Sequence, residues 1–191
     1  MAQDMLQIRW HGRGGQGAKT AAGMVAQVAV TAGHNAQAAP EYGAEREGAP
    51  IKAYTRISEE PIRVHDAIYH PGVVIVLDDT LLESEAVEDG LIEDGILLVN
   101  TKRSPAEVRE QLGLEGREVY TIDATGIALE EIGRPIPNTV MIGALLKITD
   151  AVPLEEVEKS IRKKFAGKLS EGMLQGNIDA AERAFEEVQG E

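Results

Sequence analysis

The stretch that decides the fold runs Met5-Leu6-Gln7-Ile8-Arg9-Trp10-His11-Gly12-Arg13-Gly14-Gly15-Gln16-Gly17. Met5–Trp10 predicts a buried strand, and His11–Gly17 a glycine-rich turn. From about Ala18 to Ala32 the apolar residues Ala21, Met24, Val25, Val28 and Ala32 fall at helical spacing. Gly33 then supplies a stop signal. A strand that feeds a glycine turn and opens a helix is the first unit of an α/β fold.

The alternation continues outward from this unit. A short second strand is predicted near Asn35–Ala39, followed by an irregular polar loop from Pro40 to Pro50. Ile51–Ile57 alternates apolar and polar residues as a half-buried strand does, and Ile62–Val64 offers a returning partner in an antiparallel hairpin. Val73–Leu77 and Ile96–Val99 are continuous apolar runs, as in strands covered on both faces. Asp78-Asp79-Thr80 offers caps for a helix over Leu81–Val87. Ser104-Pro105 opens a helix to about Leu112, with serine as cap and proline at the first helical position. Glu118–Ile122 is a further strand, Asp123 caps a helix to about Ile132, and Asn138 is read as the cap of a helix through Ile148. Pro153–Phe165 and Ser170–Val188 are charged amphipathic helices. The fold expected is α/β: a doubly wound, mostly parallel sheet, Rossmann- or flavodoxin-like, with an antiparallel β-hairpin insertion. The 191 residues show no repeat or low-complexity linker and fit one domain over 1–191.

Composition narrows the function. The chain has no cysteine, which excludes disulfides, thiolate metal sites and cysteine-held iron–sulfur clusters within it. His11, His34, His65 and His70 lack metal-ligand spacing. No run approaches the ~18 apolar residues of a membrane span, and MAQDMLQIRW lacks the pattern of a signal peptide, so a cytoplasmic location is expected. The net charge of −13 disfavours nucleic acid. Residues 1–65, however, hold seven Lys/Arg against six Asp/Glu, so the rest of the chain carries the acidity. A near-neutral N-terminal third is where an acidic protein could accept an anion.

The turn has the chemistry for one. Gly12-x-Gly14-x-x-Gly17 has dinucleotide-fingerprint spacing: a tight turn, a close backbone approach to pyrophosphate, and close packing of helix on strand. The free N–H groups at the helix start attract an anion, Arg13 and Lys19 add charge, and Gln16 adds donors. A ribose-binding acid at the end of the second strand is missing, since Gln37-Ala38-Ala39 ends it and Glu41 comes only after Pro40. That counts against simple NAD binding. The bland alternative is that the glycines only pack a tight turn. His11, Glu41, Glu45, Tyr42 and Tyr54 are more simply read as local hydrogen-bonding, ion-pairing or packing residues. The cluster Lys159, Arg162, Lys163, Lys164, Lys168 is read as a solvated face or a subunit contact.

The His11–Gly17 turn followed by Ala21–Ala32 resembles the opening of the pyruvate:ferredoxin oxidoreductase gamma subunit family. The resemblance continues through Glu41-Tyr42-Gly43-Ala44-Glu45-Arg46-Glu47-Gly48-Ala49-Pro50, with Glu47-Gly48 where a glycine pair is more usual. Arg56-Ile57-Ser58, Pro61-Ile62, Val74–Asp78, Pro137-Asn138-Thr139 and Met141–Leu145 follow in order. The blocks span Ile8–Leu146. Membership would imply an enzyme converting a 2-oxoacid and coenzyme A to acyl-CoA and carbon dioxide, most simply pyruvate to acetyl-CoA, with two electrons passed to ferredoxin. Thiamine diphosphate, magnesium and iron–sulfur clusters would sit on alpha, beta and delta-type partner subunits, and no cofactor on this chain alone. The gamma domain would help bind coenzyme A, with Gly12, Arg13, Gly14, Gly15, Gln16, Gly17, Lys19, Arg46 and Asn138 as the candidate residues. A free-standing NAD- or flavin-binding oxidoreductase and a purely structural subunit are the other readings.

Overall fold

In a computed structural model, which describes residues 5–41 and 48–191, seven strands form one sheet. They are β1 (Met5–Arg13), β2 (Asn35–Pro40), β3 (Pro50–Ser58), β4 (Val73–Val76), β5 (Ile96–Asn100), β6 (Glu118–Ile122) and β7 (Gln189–Gly190). The order across the sheet is β2-β3-β1-β4-β5-β6-β7. β1, β4, β5 and β6 form a parallel core, as the strand–helix alternation predicts. β3 runs antiparallel to β1 and to β2, and β7 antiparallel to β6. β1 and β2 therefore point the same way but are separated by β3.

Among the described residues there are seven helices: α1 (Ala18–Thr31), α2 (Leu81–Ser84), α3 (Pro105–Leu112), α4 (Ala124–Ile132), α5 (Asn138–Thr149), α6 (Leu154–Phe165) and α7 (Glu171–Glu187). The residues alternate across the sheet as pleating requires. Ile8, Trp10, Ala53, Ile57, Ile75, Leu77 and Leu98 pack under α1, α4, α5, α6 and α7. Val74, Val76, Leu97, Val99 and Val119 pack on the other side with Leu81, Leu82, Val87 and Val108. Helices on both faces make the sheet doubly wound.

Two expectations change. The hairpin partner of β3 is β2, not Ile62–Val64, and residues 59–72 contain no strand. They cross the half of the sheet that α2 and α3 leave bare, held there by side chains from the strands. Arg9 donates to the carbonyls of Ile68, Val87 and Asp89, Arg56 to those of Asp66 and Ala67, and Gln37 to that of Val64. Guanidinium groups supply the donors that irregular backbone carbonyls need when buried. The helix after β4 stops at Ser84 rather than reaching Val87. Among the described residues no helix is long and apolar enough to cross a membrane.

Candidate functional site

β1 leads through α1 to the β2 side of the sheet, while β4, β5 and β6 extend from its other side. The carboxyl ends of β1 and β4 thus flank a topological switch point, the place where open α/β sheets bind ligands. The glycine turn stands there.

β1 runs three residues further than its apolar pattern suggests. His11, Gly12 and Arg13 still pair with Lys52, Ile51 and Pro50 of β3. Gly12 is therefore not the tight-turn glycine. A Cβ on it would lie 3.4 Å from Ala18 Cβ and 3.5 Å from Leu77 Cβ, in van der Waals contact with the start of α1 and the residue after β4. The turn proper is Gly14–Gly17, where Gly15 (φ +100°) and Gly17 (φ +86°) occupy backbone space that favours glycine. Beyond the turn Gly14 N donates to Ala49 O at 3.0 Å and Gly48 N to Gly14 O at 3.2 Å. The end of the polar loop is thereby tied to the glycines. Arg46 lies outside the described residues.

Arg13 and Gln16 turn inward. Gln16 Oε1 accepts from Arg13 N at 2.7 Å, and Gln16 Nε2 donates to Asp78 Oδ2 at 2.6 Å. Arg13 Nε sits 3.4 Å from the same Asp78 oxygen; Nη2 donates to Thr80 Oγ1 at 2.8 Å and Nη1 to Gly48 O at 3.2 Å. Thr80 donates to Asp78 Oδ1 through both its hydroxyl and its backbone N–H. Burial favours the neutral acid at Asp78, but the bonds from Thr80 and Gln16 and the charge of Arg13 outweigh it and hold the carboxyl below its ordinary range. Both side chains expected to greet an anion thus already serve Asp78. Neither Asp78 nor Thr80 was among the expected site residues: an acid at a strand end reads as a helix cap, and only the fold brings it to Arg13. His11 also turns away from the site. It is 2% exposed, and its Nε2 accepts from Arg9 Nε at 3.0 Å.

Two helix starts lie on the other side of the turn. α1 begins at Gly17 with no side-chain cap and no acidic residue in its first turn, and α5 begins at Pro137 in the same condition. Among the described helices only these two lack both. α3, α4 and α7 are capped by Ser104, Asp123 and Ser170, and α2 and α6 carry glutamates in their first turns. The two uncapped starts meet: a Cβ on Gly17 would lie 2.7 Å from Asn138 Nδ2. Asn138 is not the cap of α5 but its first helical residue, with Oδ1 accepting from Thr139 N at 2.8 Å. That leaves the Nδ2 donor beside Gly17. Lys19 is half-buried in the first turn of α1. Two helix N-termini, an amide donor and an ammonium within one small region are suited to a phosphate or pyrophosphate. Among the described residues no group of three or more His, Asp or Glu could hold a metal ion.

Comparison with known proteins agrees with this architecture. Residues 7–187 match the family model described as pyruvate ferredoxin/flavodoxin oxidoreductase. The chain is 52% identical over 188 residues to the pyruvate synthase subunit PorC of Thermotoga maritima, covering 98% of this chain and 97% of that one. It is 50% identical over 185 residues to the pyruvate/ketoisovalerate oxidoreductases common subunit gamma of Pyrococcus abyssi, covering 97% and 98%. The crystal structure of pyruvate oxidoreductase subunit PORC from Thermotoga maritima superposes with a TM-score of 0.88 at 47% identity, over 98% of this chain and 99% of that one.

Proposed function

Because this chain belongs to the pyruvate ferredoxin/flavodoxin oxidoreductase family, we propose that it is the gamma subunit of a pyruvate:ferredoxin oxidoreductase, acting as one domain over residues 1–191 in the cytoplasm. The reaction joins pyruvate and coenzyme A, releases carbon dioxide, forms acetyl-CoA and passes two electrons to ferredoxin. Thiamine diphosphate with magnesium supplies the carbon–carbon cleavage chemistry and iron–sulfur clusters the electron path. This cysteine-free chain leaves the clusters to its alpha, beta and delta-type partners. The name of the Pyrococcus relative, a subunit common to two oxidoreductases, supports a division of labour in which other subunits choose the oxoacid.

The role of this chain is to bind the phosphate end of coenzyme A while the thiol reaches the active centre on a partner. The observation that carries this is the meeting of the two uncapped helix starts at Gly17 and Asn138. Helix N-termini left without cap or carboxylate favour an external anion. Arg13, Gln16 and Asp78 fix the turn in shape rather than touching the ligand. In a free NAD-dependent enzyme the second strand would end in a ribose-binding acid, and here it ends in Ala39 and Pro40.

Asn138→Asp tests the assignment in the assembled enzyme. A carboxylate at the start of α5 favours the helix itself but repels a phosphate at Gly17. The expected result is a KM for coenzyme A raised about tenfold or more, with an unchanged KM for pyruvate and intact assembly. An unchanged KM for coenzyme A would leave the chain a purely structural subunit.

A further inference from the structure

α1 and α6 enclose a groove of about 630 Å³, with Gly23 and Met24 on its α1 side and Lys159, Lys163, Lys164 and Lys168 on its α6 side. Lys159 is paired with Glu156 at 2.6 Å. Among the described residues no carboxylate lies within ion-pair distance of Lys163, Lys164 or Lys168. This occurs in a chain with 32 acidic and 19 basic residues. The adjacent Arg162 does find acceptors, in Glu171 and Gln175. Burial, together with the charge of Lys168, pushes the Lys164 ammonium down from its ordinary range, so the amines crowd one another at a cost that an anion would relieve.

A second observation is independent of charge. Gly23 lies in the middle of α1, where glycine costs helix stability relative to alanine. Its φ is not positive, and an added Cβ would meet nothing within 4 Å. Nothing among the described residues requires the glycine. It leaves the helix backbone bare toward the groove, as a close approach from outside demands. Gln27 and Thr31 continue the same helix face for two turns, a strip of about 12 Å. The cationic donors offered here are the ends of long lysine side chains rather than converging backbone N–H groups. Such a strip suits the spaced carboxylates of a polypeptide better than one compact phosphate.

We propose that this groove receives an acidic segment of a partner subunit in the assembled oxidoreductase, its carboxylates meeting Lys163, Lys164 and Lys168 and its backbone lying against Gly23. The proposal rests on the subunit reading above. The test is reconstitution of the oxidoreductase from its subunits with three forms of this chain: wild type, Gly23→Gln, and Lys163→Glu/Lys164→Glu/Lys168→Glu. Gly23→Gln fills open space with a better helix former, so the isolated chain should melt higher while its affinity for the partners falls. The triple variant should associate about 30-fold more weakly or worse at moderate salt. Zero-length carbodiimide coupling of the wild-type complex should link these lysines to one acidic stretch of one partner chain. Both variants assembling with wild-type affinity, with the three lysines open to acetylation in the complex, would overturn the proposal. So would protection of these lysines by inorganic pyrophosphate in the isolated chain while they stay reactive in the complex. A wild-type chain that joins no partner would instead overturn the subunit reading and the groove with it.

Discussion

At the scale of single residues, His11 is controlled by its neighbours rather than by the site it adjoins. Its burial, with Arg9 and Lys52 adding positive charge on the same sheet face, lowers its pKa to about 3. In the unfolded chain a histidine titrates near 6.5. The unfolded state therefore binds more protons than the folded state between these values, and stability falls as pH drops below about 6.5, by up to about 1.4 kcal/mol per pH unit. Denaturant unfolding of the isolated chain should lose roughly 1.5–2 kcal/mol between pH 6.5 and 5.0. His11→Gln, which can still accept from Arg9, should remove most of that slope, and an unchanged slope would show that other groups cause it. The sequence exposes the glycines, Lys19 and Asn138 as candidates, because their types and spacing are local facts. It does not expose the inward turn of Arg13 and Gln16, because Asp78 lies more than sixty residues away and reaches them only through the β1–β4 pairing. Asn138 reads as a cap from its type alone, yet the helix begins one residue earlier in its geometry, and the amide is left facing Gly17.

At the scale of elements, the layer of α4, α5 and α7 depends on backbone approach. A Cβ on Gly143 of α5 would lie 2.0 Å from Ala181 O of α7, and one on Gly176 of α7 would lie 2.2 Å from Glu131 O of α4. The buried bond from Thr139 Oγ1 to Asn177 Oδ1, 2.9 Å, fixes the register of α5 on α7. Gly143→Ala should therefore destabilise the chain by about 1–3 kcal/mol despite alanine's higher helix propensity, through forced separation of the two helices. Thermal melting checks this, and a raised melting temperature would contradict the packing described. Helices with local end signals were legible: Ser104 makes its capping box with Glu107, and Asp123 accepts from Gly126 N. Pairing partners were not. β2 has no charged or β-branched residue to mark it as the mate of β3, and Ile62-Arg63-Val64 offered a better local pattern. What decides between them is long-range. Arg9, Arg56 and Gln37 on the strands capture the carbonyls of residues 64–68, which commits that segment to an irregular path over the sheet. β7 is missed for a similar reason: two residues carry no pattern, and it is pairing with Tyr120 and Thr121 of β6 that defines them as a strand.

At the scale of the molecule, the proposed ligand site lies at the switch point between β1 and β4, and the proposed partner groove lies between α1 and α6. Within the near-neutral first third, Arg13 stands at the glycine turn and Arg9 and Arg56 bond the carbonyls of residues 66–68, while the acidic remainder of the chain forms α2 to α7 and the strands from β4 onward. The family match and the relatives named as subunits mark the chain as a component of a larger oxidoreductase. The doubly wound fold was legible from the alternation of apolar runs and helical periods. Its family was legible only through the specific combination of the His11–Gly17 turn with the 41–50 loop and the blocks that follow, because glycine turns of this spacing serve many folds. The central claim is that the chain works inside a coenzyme A-dependent oxidoreductase. Affinity capture of the chain from its native anaerobic extract, followed by an assay of ferredoxin-linked pyruvate oxidation with and without coenzyme A, tests it most directly. The account predicts co-purifying subunits that carry thiamine diphosphate and iron–sulfur clusters, with activity that requires coenzyme A. A solitary, inactive chain that binds NAD or flavin tightly would contradict it.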